Sequence, residues 1–256
     1  MSTPYPVPRW PEVSSAVPEG TATPEMISAT TDTGSPAPWL IEGHGVAWIA
    51  RASRSDVDLL PAELRSGALP VARVAMAVRY ASTPVGPYNE LGCGLACLRR
   101  DGAWLHIPFL PVDSAATMRG GRENWALPKT LATFTGDPEP ESSFRLAGDH
   151  PQPWSVSLDI SRRRGSVPLG VPGPLKWLPA FGLTSLLGIE QVTPDGRRLR
   201  AGFDNPFAPS VQVGSAGVDV EVDGSPELRR LLPDGHHRGV AMTYRGVHLA
   251  AARVDR

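Results

Sequence analysis

The sequence predicts an α+β protein built mainly from antiparallel β-strands. Several segments alternate inward-facing and outward-facing residue types with a period of two, as a half-buried strand requires, and residues 154–160 do so most clearly. The predicted helices are few and short. Strands and helices do not alternate in the rhythm of βαβ units, which argues against a parallel sheet.

Composition supports a globular chain with a sizeable core. The chain has 256 residues, of which 41% are hydrophobic and 20% charged, and its formal net charge is −1. Without a basic surplus, neither a nucleic acid nor a membrane surface is expected as a partner. The N-terminus lacks the charged and apolar regions of a secretory signal, so a cytoplasmic location is expected.

Residues 1–38 differ in composition from the rest of the chain. They contain eight prolines together with many small and polar residues. This composition predicts a flexible or loosely draped arm instead of a packed element. The remainder, residues 39–256, is expected to form a single domain.

The first half of that domain is dominated by strands. They are predicted at residues 46–50, 74–80, 88–98 and 103–110. Ser55 is followed by an acid three residues later, a pattern typical of a helix start. Residues 100–102 have the composition of a hairpin turn, and a short helix is predicted at 113–119.

The second half continues the same pattern. Strands are predicted at residues 144–146, 154–160, 197–203, 218–222 and 240–254, with one short helix at 226–232. The Pro- and Gly-rich segment 161–182 is predicted to be a loop, either a plain surface connection or a wall of a large pocket.

Cysteine and histidine patterns predict neither a metal nor a cofactor. In an extended strand, Cys93 and Cys97 share a face but lie about 13 Å apart, at roughly 3.3 Å per residue, which is too far for a disulfide. We expect reduced core thiols. His236 and His237 lack a third ligand nearby, and His106 is expected to be a hydrogen-bonded core residue. A Gly-x-Gly-x-x-Gly motif for dinucleotides is absent.

Lysine is rare in this chain, which makes Lys129 a candidate reactive amine. Only Lys129 and Lys176 accompany 23 arginines. A lysine that attacks a carbonyl must be neutral, so its pKa must fall from about 10.4 toward 7. Apolar neighbours such as Trp125 and Leu127 could cause that shift by burial. Lys176 has a similarly apolar setting, so local context alone does not choose between the two.

Four segments together resemble the acetoacetate decarboxylase superfamily. The run GRENWALPKTLA, residues 121–132, is similar to its signature, in which a Gly-Arg-Glu run precedes Pro-Lys. Residues 86–90, GPYNE, resemble its tyrosine-x-glutamate segment, and residues 104–110 resemble the strand that leads into the signature. Residues 55–64 resemble its helix-then-Pro element after the first strand. The resemblance covers roughly residues 46–135.

The resemblance implies a cone-like β-barrel with a few short helices, and a homo-oligomer. It implies that Lys129 forms a Schiff base and that Glu90 is the acidic residue of the site. Arg122 and Glu123 are expected to pair with each other or with neighbours and hold the lysine loop, with Arg122 as a possible substrate contact. The remaining site-supporting or substrate-binding candidates are Tyr88 and Trp125.

Two departures from the family pattern bear on the reaction. Thr130 stands where the decarboxylase has a second lysine, and residues 42–45 offer no arginine for a substrate carboxylate. The predicted function is a lysine-imine lyase acting on a small oxo acid, without a cofactor. Two alternatives remain. One is an aldolase-dehydratase or hydratase acting on a larger oxo acid, and the other is a noncatalytic binding protein on the same fold.

Overall fold

A computed structural model describes residues 10–30, 35–162, 167–168, 188–204 and 211–254. The strands are β1 Trp39–Arg51, β2 Leu69–Ser82, β3 Tyr88–Arg99, β4 Gly102–Val112, β5 Lys129–Leu131, β6 Thr133–Gly136, β7 Ser142–Gly148, β8 Trp154–Arg162, β9 Val167–Pro168, β10 Ile189–Val192, β11 Arg198–Ala201, β12 Phe203–Asp204, β13 Gln212–Asp223, β14 Gly235–Leu249 and β15 Arg253–Val254. The α-helices are α1 Pro24–Ser28, α2 Ala62–Arg65, α3 Ala115–Trp125 and α4 Pro226–Leu231.

The strands form one mostly antiparallel sheet, which confirms the predicted fold class. Its order is β15-β11-β10-β4-β3-β2-β1-β14-β13-β8-β7-β6, and among the described strands only β5 and β10 run parallel to β4. The expected closed barrel is not found, because this path ends at β15 and at β6. Strands β5 and β6 are separated only by Ala132, but β5 pairs with β4 whereas β6 pairs with β7.

Alternation along the strands divides most of the buried apolar residues between two large cores, and a third, smaller cluster contains Leu95 and Cys97. On β4, Phe109 belongs to a core with Trp48 and Trp154, whereas Leu110 belongs to a second core with Trp39. Successive side chains of a strand point to opposite faces, so these cores lie on the two faces of the sheet. The second core contains the residues around Lys129.

The amino-terminal segment is packed where it is described, unlike the loose arm that its composition predicted. Two 3-10 helices, Trp10–Glu12 and Pro18–Gly20, precede α1. Val17 is 0% exposed and Glu19 1% exposed. Both carboxylate oxygens of Glu19 accept hydrogen bonds from Ser225 at the start of α4, at 2.6 and 2.8 Å. The prolines here fix the backbone in turns that other parts of the chain hold in place.

Two helix boundaries differ from the prediction. The cap before residue 54 is Ser53, whose N–H donates to Asp56 Oδ2 at 2.8 Å, so the start predicted at Ser55 was two residues late. Helix α3 runs to Trp125 instead of ending at 119. It therefore includes most of the signature run.

Other sequence predictions are also resolved by the structure. Cys93 and Cys97 are buried and free, as predicted for core thiols. No helix in the described ranges has the length and apolar content needed to span a membrane. The segment 161–182, including Lys176, lies almost entirely outside the described residues.

Candidate active site

The end of helix α3 folds the chain back so that Lys129 lies beside the helix. Ala126 adopts a left-handed conformation, with φ 51°, and the N–H of Leu127 donates to the carbonyl of Gly121 at 3.3 Å. After Pro128, Lys129 starts β5, in register with Leu110 of β4. The aliphatic part of the lysine side chain then crosses Gly121 of α3.

The amine of Lys129 is buried among polar groups from two elements, β3 and α3. Its Nζ lies 2.7 Å from Oε2 of Glu90, and the side chains of Lys129 and Glu90 are 3% and 6% exposed. Nζ donates to Oγ1 of Thr117 on α3 at 2.8 Å and to the hydroxyl of Tyr88 on β3 at 3.3 Å. Lys129, Glu90 and Tyr88, all predicted from sequence, thus meet at one point.

Three tyrosines surround the carboxylate of Glu90. Tyr80 donates to Oε1 of Glu90 at 3.0 Å, and its ring centroid lies 4.5 Å from that of Tyr88 and 6.3 Å from that of Tyr244. Burial raises the pKa of all three phenols well above the usual range, and the charge of Glu90 raises it further. They are therefore neutral hydrogen-bond donors at ordinary pH.

Burial lowers the pKa of Lys129, while the nearby Glu90 carboxylate opposes that shift. The two effects act in opposite directions because desolvation disfavours the ammonium ion and an adjacent negative charge favours it. The geometry thus provides an enclosed amine with a depressed pKa, together with an acid-base group in direct contact.

Arg122 holds the backbone at Lys129 in place. Its guanidinium donates to the backbone carbonyls of Lys129 at 2.8 Å, Trp10 at 3.0 Å, Pro11 at 3.2 Å and Val13 at 2.5 Å. Burial lowers the pKa of Arg122 to about 10. With its donors directed to backbone carbonyls, this side chain holds structure and is not placed to contact a substrate.

The other two predicted site residues also have structural contacts. Glu123 does not pair with Arg122; its Oε1 accepts from Arg119 at 2.8 Å, one helical turn away. Trp125 donates through Nε1 to the carbonyl of Ala250 at 2.8 Å and packs edge-on against Trp39, with ring centroids 5.0 Å apart. Both residues anchor helix α3 and its C-terminal end.

The sequence analysis missed Thr117, Tyr80 and Tyr244. The pairing of β2 with β3 places Tyr80 directly opposite Tyr88, and the strands predicted at 74–80 and 88–98 contain both residues. Thr117 lies one turn before Gly121 on α3, and a correct helix end would have placed both beside Lys129. Thr130 is buried and donates to the carbonyl of Glu19 at 3.3 Å.

The histidines that were considered earlier have other contacts. His106 is buried, its Nδ1 lies 3.1 Å from the carbonyl of Glu190, and burial lowers its pKa to about 4. This confirms a hydrogen-bonded core histidine. His236 contacts Asp219 through Nδ1 at 2.8 Å, and His237 contacts the carbonyl of Pro233 at 3.0 Å.

The chain has the same fold as several solved structures. An acetoacetate decarboxylase from Legionella pneumophila subsp. pneumophila str. Philadelphia 1 is 13% identical, with 90% of this chain and 95% of that chain covered and a TM-score of 0.58. The enduracididine biosynthesis enzyme MppR complexed with pyruvate is 17% identical, with 89% and 93% covered and a TM-score of 0.58. An acetoacetate decarboxylase-like enzyme from Sphingomonas wittichii RW1 is 15% identical, with 87% and 94% covered and a TM-score of 0.58.

Comparison of the sequence itself gives a family assignment. Residues 25–150 match the family described as acetoacetate decarboxylase (ADC), a range that contains Glu90, Thr117 and Lys129. No curated protein matches the chain. Residues 25–150 therefore match the acetoacetate decarboxylase family, and the chain shares the fold of the solved acetoacetate decarboxylases.

Proposed function

We propose that this protein is a lysine-imine lyase that acts on a small oxo acid. The observation that carries the proposal is the Lys129 amine, buried, with a lowered pKa and 2.7 Å from Glu90. A depressed pKa makes the neutral amine available at a higher fraction than in an exposed lysine. Nucleophilic amines of this kind are activated by desolvation.

The reaction begins when the neutral Nζ of Lys129 adds to the carbonyl carbon of the substrate. The resulting carbinolamine loses water to form an iminium ion, and Glu90 can accept or return the protons that move in this step. Loss of CO₂ from the carbon beside the iminium leaves its electron pair as an enamine. Protonation of the enamine and hydrolysis of the imine release the ketone and restore the amine.

Thr117 and Tyr88 are proposed to direct the amine. Both accept hydrogen bonds from Nζ, so they fix its position between α3 and β3. The neutral phenols of Tyr80 and Tyr88 can donate hydrogen bonds to anionic oxygens that develop during addition. These donors are already in place before the substrate arrives, which reduces the reorganisation needed in the transition state.

A second candidate is aldol condensation with dehydration, or hydration, of a larger oxo acid through the same imine. Thr130 replaces the family's second lysine and hydrogen-bonds the backbone of Glu19. Arg51 and Arg54, the arginines nearest the first strand's end, are exposed on the surface. The features that would be specific to acetoacetate are thus altered, whereas the amine is retained. MppR, which shares the fold, has been crystallised with a condensation product of pyruvate and imidazole 4-carboxaldehyde.

Borohydride trapping tests the proposal directly. Incubation with pyruvate or acetoacetate plus borohydride, followed by intact mass measurement, should give a stable adduct on Lys129. Lys129→Arg should abolish the adduct, and Lys176→Arg should retain it. If no oxo acid labels the protein, or if labelling maps to Lys176, the Lys129 imine is ruled out and a noncatalytic binding protein becomes the better account. Release of CO₂ from acetoacetate separates decarboxylation from the second candidate.

We also propose that residues 39–256 form a single domain, onto which the amino-terminal segment packs, and that the protein assembles as a cytoplasmic homo-oligomer. Exposed apolar residues on neighbouring strands support assembly: Ile49 is 64% exposed, and Leu69 and Leu98 are each 45% exposed. Light scattering after size exclusion would measure the oligomeric state.

A further inference from the structure

A cavity lies away from the Lys129 amine. It has a volume of about 380 Å³ and lies between β1, β13, β14 and the turn that joins β6 to β7. None of the four residues around the amine, namely Glu90, Thr117, Tyr80 and Tyr88, lines it among the described residues. Its function therefore has to be sought in its own side chains.

Three metal-binding residue types converge at the edge of this cavity. His44 comes from β1, and Asp137 and Glu139 come from the β6–β7 turn, so the cluster joins parts of the chain about 90 residues apart. One ligand atom from each residue lies within 4.8 Å of the other two. His44 Nε2 and Asp137 Oδ1 are already 2.5 Å apart. Around a tetrahedral zinc ion, ligand atoms at roughly 2.1 Å from the metal lie about 3.4 Å from one another.

The charge at this point favours a divalent cation. Two carboxylates face one imidazole, and the positive charge paired with them among the described residues is Nη1 of Arg79, 3.8 Å from Asp137 Oδ2. The Arg79 side chain is half exposed, which weakens its compensating effect. One imidazole with two carboxylates is a donor set suited to zinc and neighbouring transition metals.

The same cavity also contains a buried polar group without a hydrogen-bond partner among the described residues. Ser215 of β13 lines the cavity, and its Oγ is buried without a hydrogen-bond partner in the described structure. Buried hydroxyl groups rarely lack partners because the lost hydration is not replaced. A ligand or metal-bound water in the cavity would satisfy this hydroxyl.

We propose that His44, Asp137 and Glu139 bind one divalent transition-metal ion of the zinc class. Three protein ligands leave at least one coordination position free, and this position opens on the cavity lined by Ser215. Binding replaces the short contact between His44 and Asp137 with two bonds to the metal. The site is independent of the imine chemistry proposed for Lys129.

Metal titration of the full chain tests this site. After chelator treatment and its removal, calorimetric titration with ZnCl₂ should give one equivalent of bound zinc, and Co²⁺ should give visible absorption bands typical of low coordination number. Glu139→Gln, in which the exposed side chain loses its charge, should weaken binding at least tenfold. His44→Ala should weaken it further.

His236→Ala is the matched control, because His236 also contacts an aspartate, Asp219, but belongs to no described three-ligand cluster. It should bind zinc like the wild type. Absence of stoichiometric binding, or equal affinity in the wild type and Glu139→Gln, would overturn the proposal. Retained borohydride labelling of Lys129 in Glu139→Gln would show that the two sites are separate.

Discussion

Gly121 and Lys129 are in such close contact that a Cβ atom at position 121 would lie 2.6 Å from Cδ of the lysine and 2.7 Å from its Cε. Contacts this short do not occur in real structures, so a side chain at 121 would displace the lysine. Because glycine has no side chain at position 121, the lysine side chain can pass over α3 and place its amine beside Glu90.

Gly121→Ala should move the Lys129 amine away from Thr117 and Glu90. We expect the rate of borohydride trapping to fall at least tenfold, because a displacement of about 1 Å can cost two orders of magnitude in a positioned reaction. Gly202→Ala is the control, since nothing lies within 4 Å of a Cβ there. Equal trapping rates in the two variants would show that Gly121 does not set the position of the lysine.

Glu90→Gln should lower the pKa of Lys129 further. The carboxylate raises this pKa against the effect of burial, so its neutralisation leaves burial unopposed. The pH below which trapping becomes slow should shift toward acid, although turnover falls if Glu90 transfers protons. Glu123→Gln, whose partner is Arg119, should leave the pH profile unchanged.

Arg122→Met should loosen the segment at residues 10–13 and destabilise the protein. The substitution removes the donors of four backbone carbonyls, and leaving a buried acceptor without a partner costs about 1–3 kcal/mol. Hydrogen exchange measured by mass spectrometry should rise in peptides that cover residues 12–17. Unchanged exchange there would contradict the anchoring role.

His106 should make stability depend on pH between about 4 and 6.5. Its folded pKa is lowered to about 4, so in this range the unfolded chain binds a proton that the native protein does not. The contribution is fully present above pH 6.5 and is lost as the pH falls, by about 3 kcal/mol in total. In urea unfolding, His106→Gln should show a flatter pH dependence than the wild type. The half-buried His237→Gln serves as the comparison, and an identical slope in all three proteins would refute the assignment.

Strands were predictable from the sequence because alternation reports which side of a strand is buried. On β13, Val218 and Val220 are buried while Asp219 between them is exposed, and residues 218–222 were predicted as a strand on that pattern. The short strands β5 and β6 were missed. Their pairing depends on β4 and β7, which lie elsewhere in the chain, and three or four residues carry too little periodicity.

The site was predictable to the extent that it follows local motifs. Lys129, Glu90 and Tyr88 were placed by short runs that resemble family segments, and the structure brings them together. The role of Arg122 was not predictable, because its partners are backbone carbonyls of residues 10–13 and of Lys129. Every residue has a backbone carbonyl, so residue types do not show which carbonyl accepts a hydrogen bond. Composition even argued against a packed segment there.

The carbonyl contacts of Arg122 have a practical consequence for protein engineering. A shortened version that starts at residue 39, the boundary suggested by composition, would leave three of the four guanidinium contacts without acceptors directly beside Lys129. Protein produced for crystallography or assay should therefore retain the amino-terminal segment, and a purification tag is better fused to the carboxyl end.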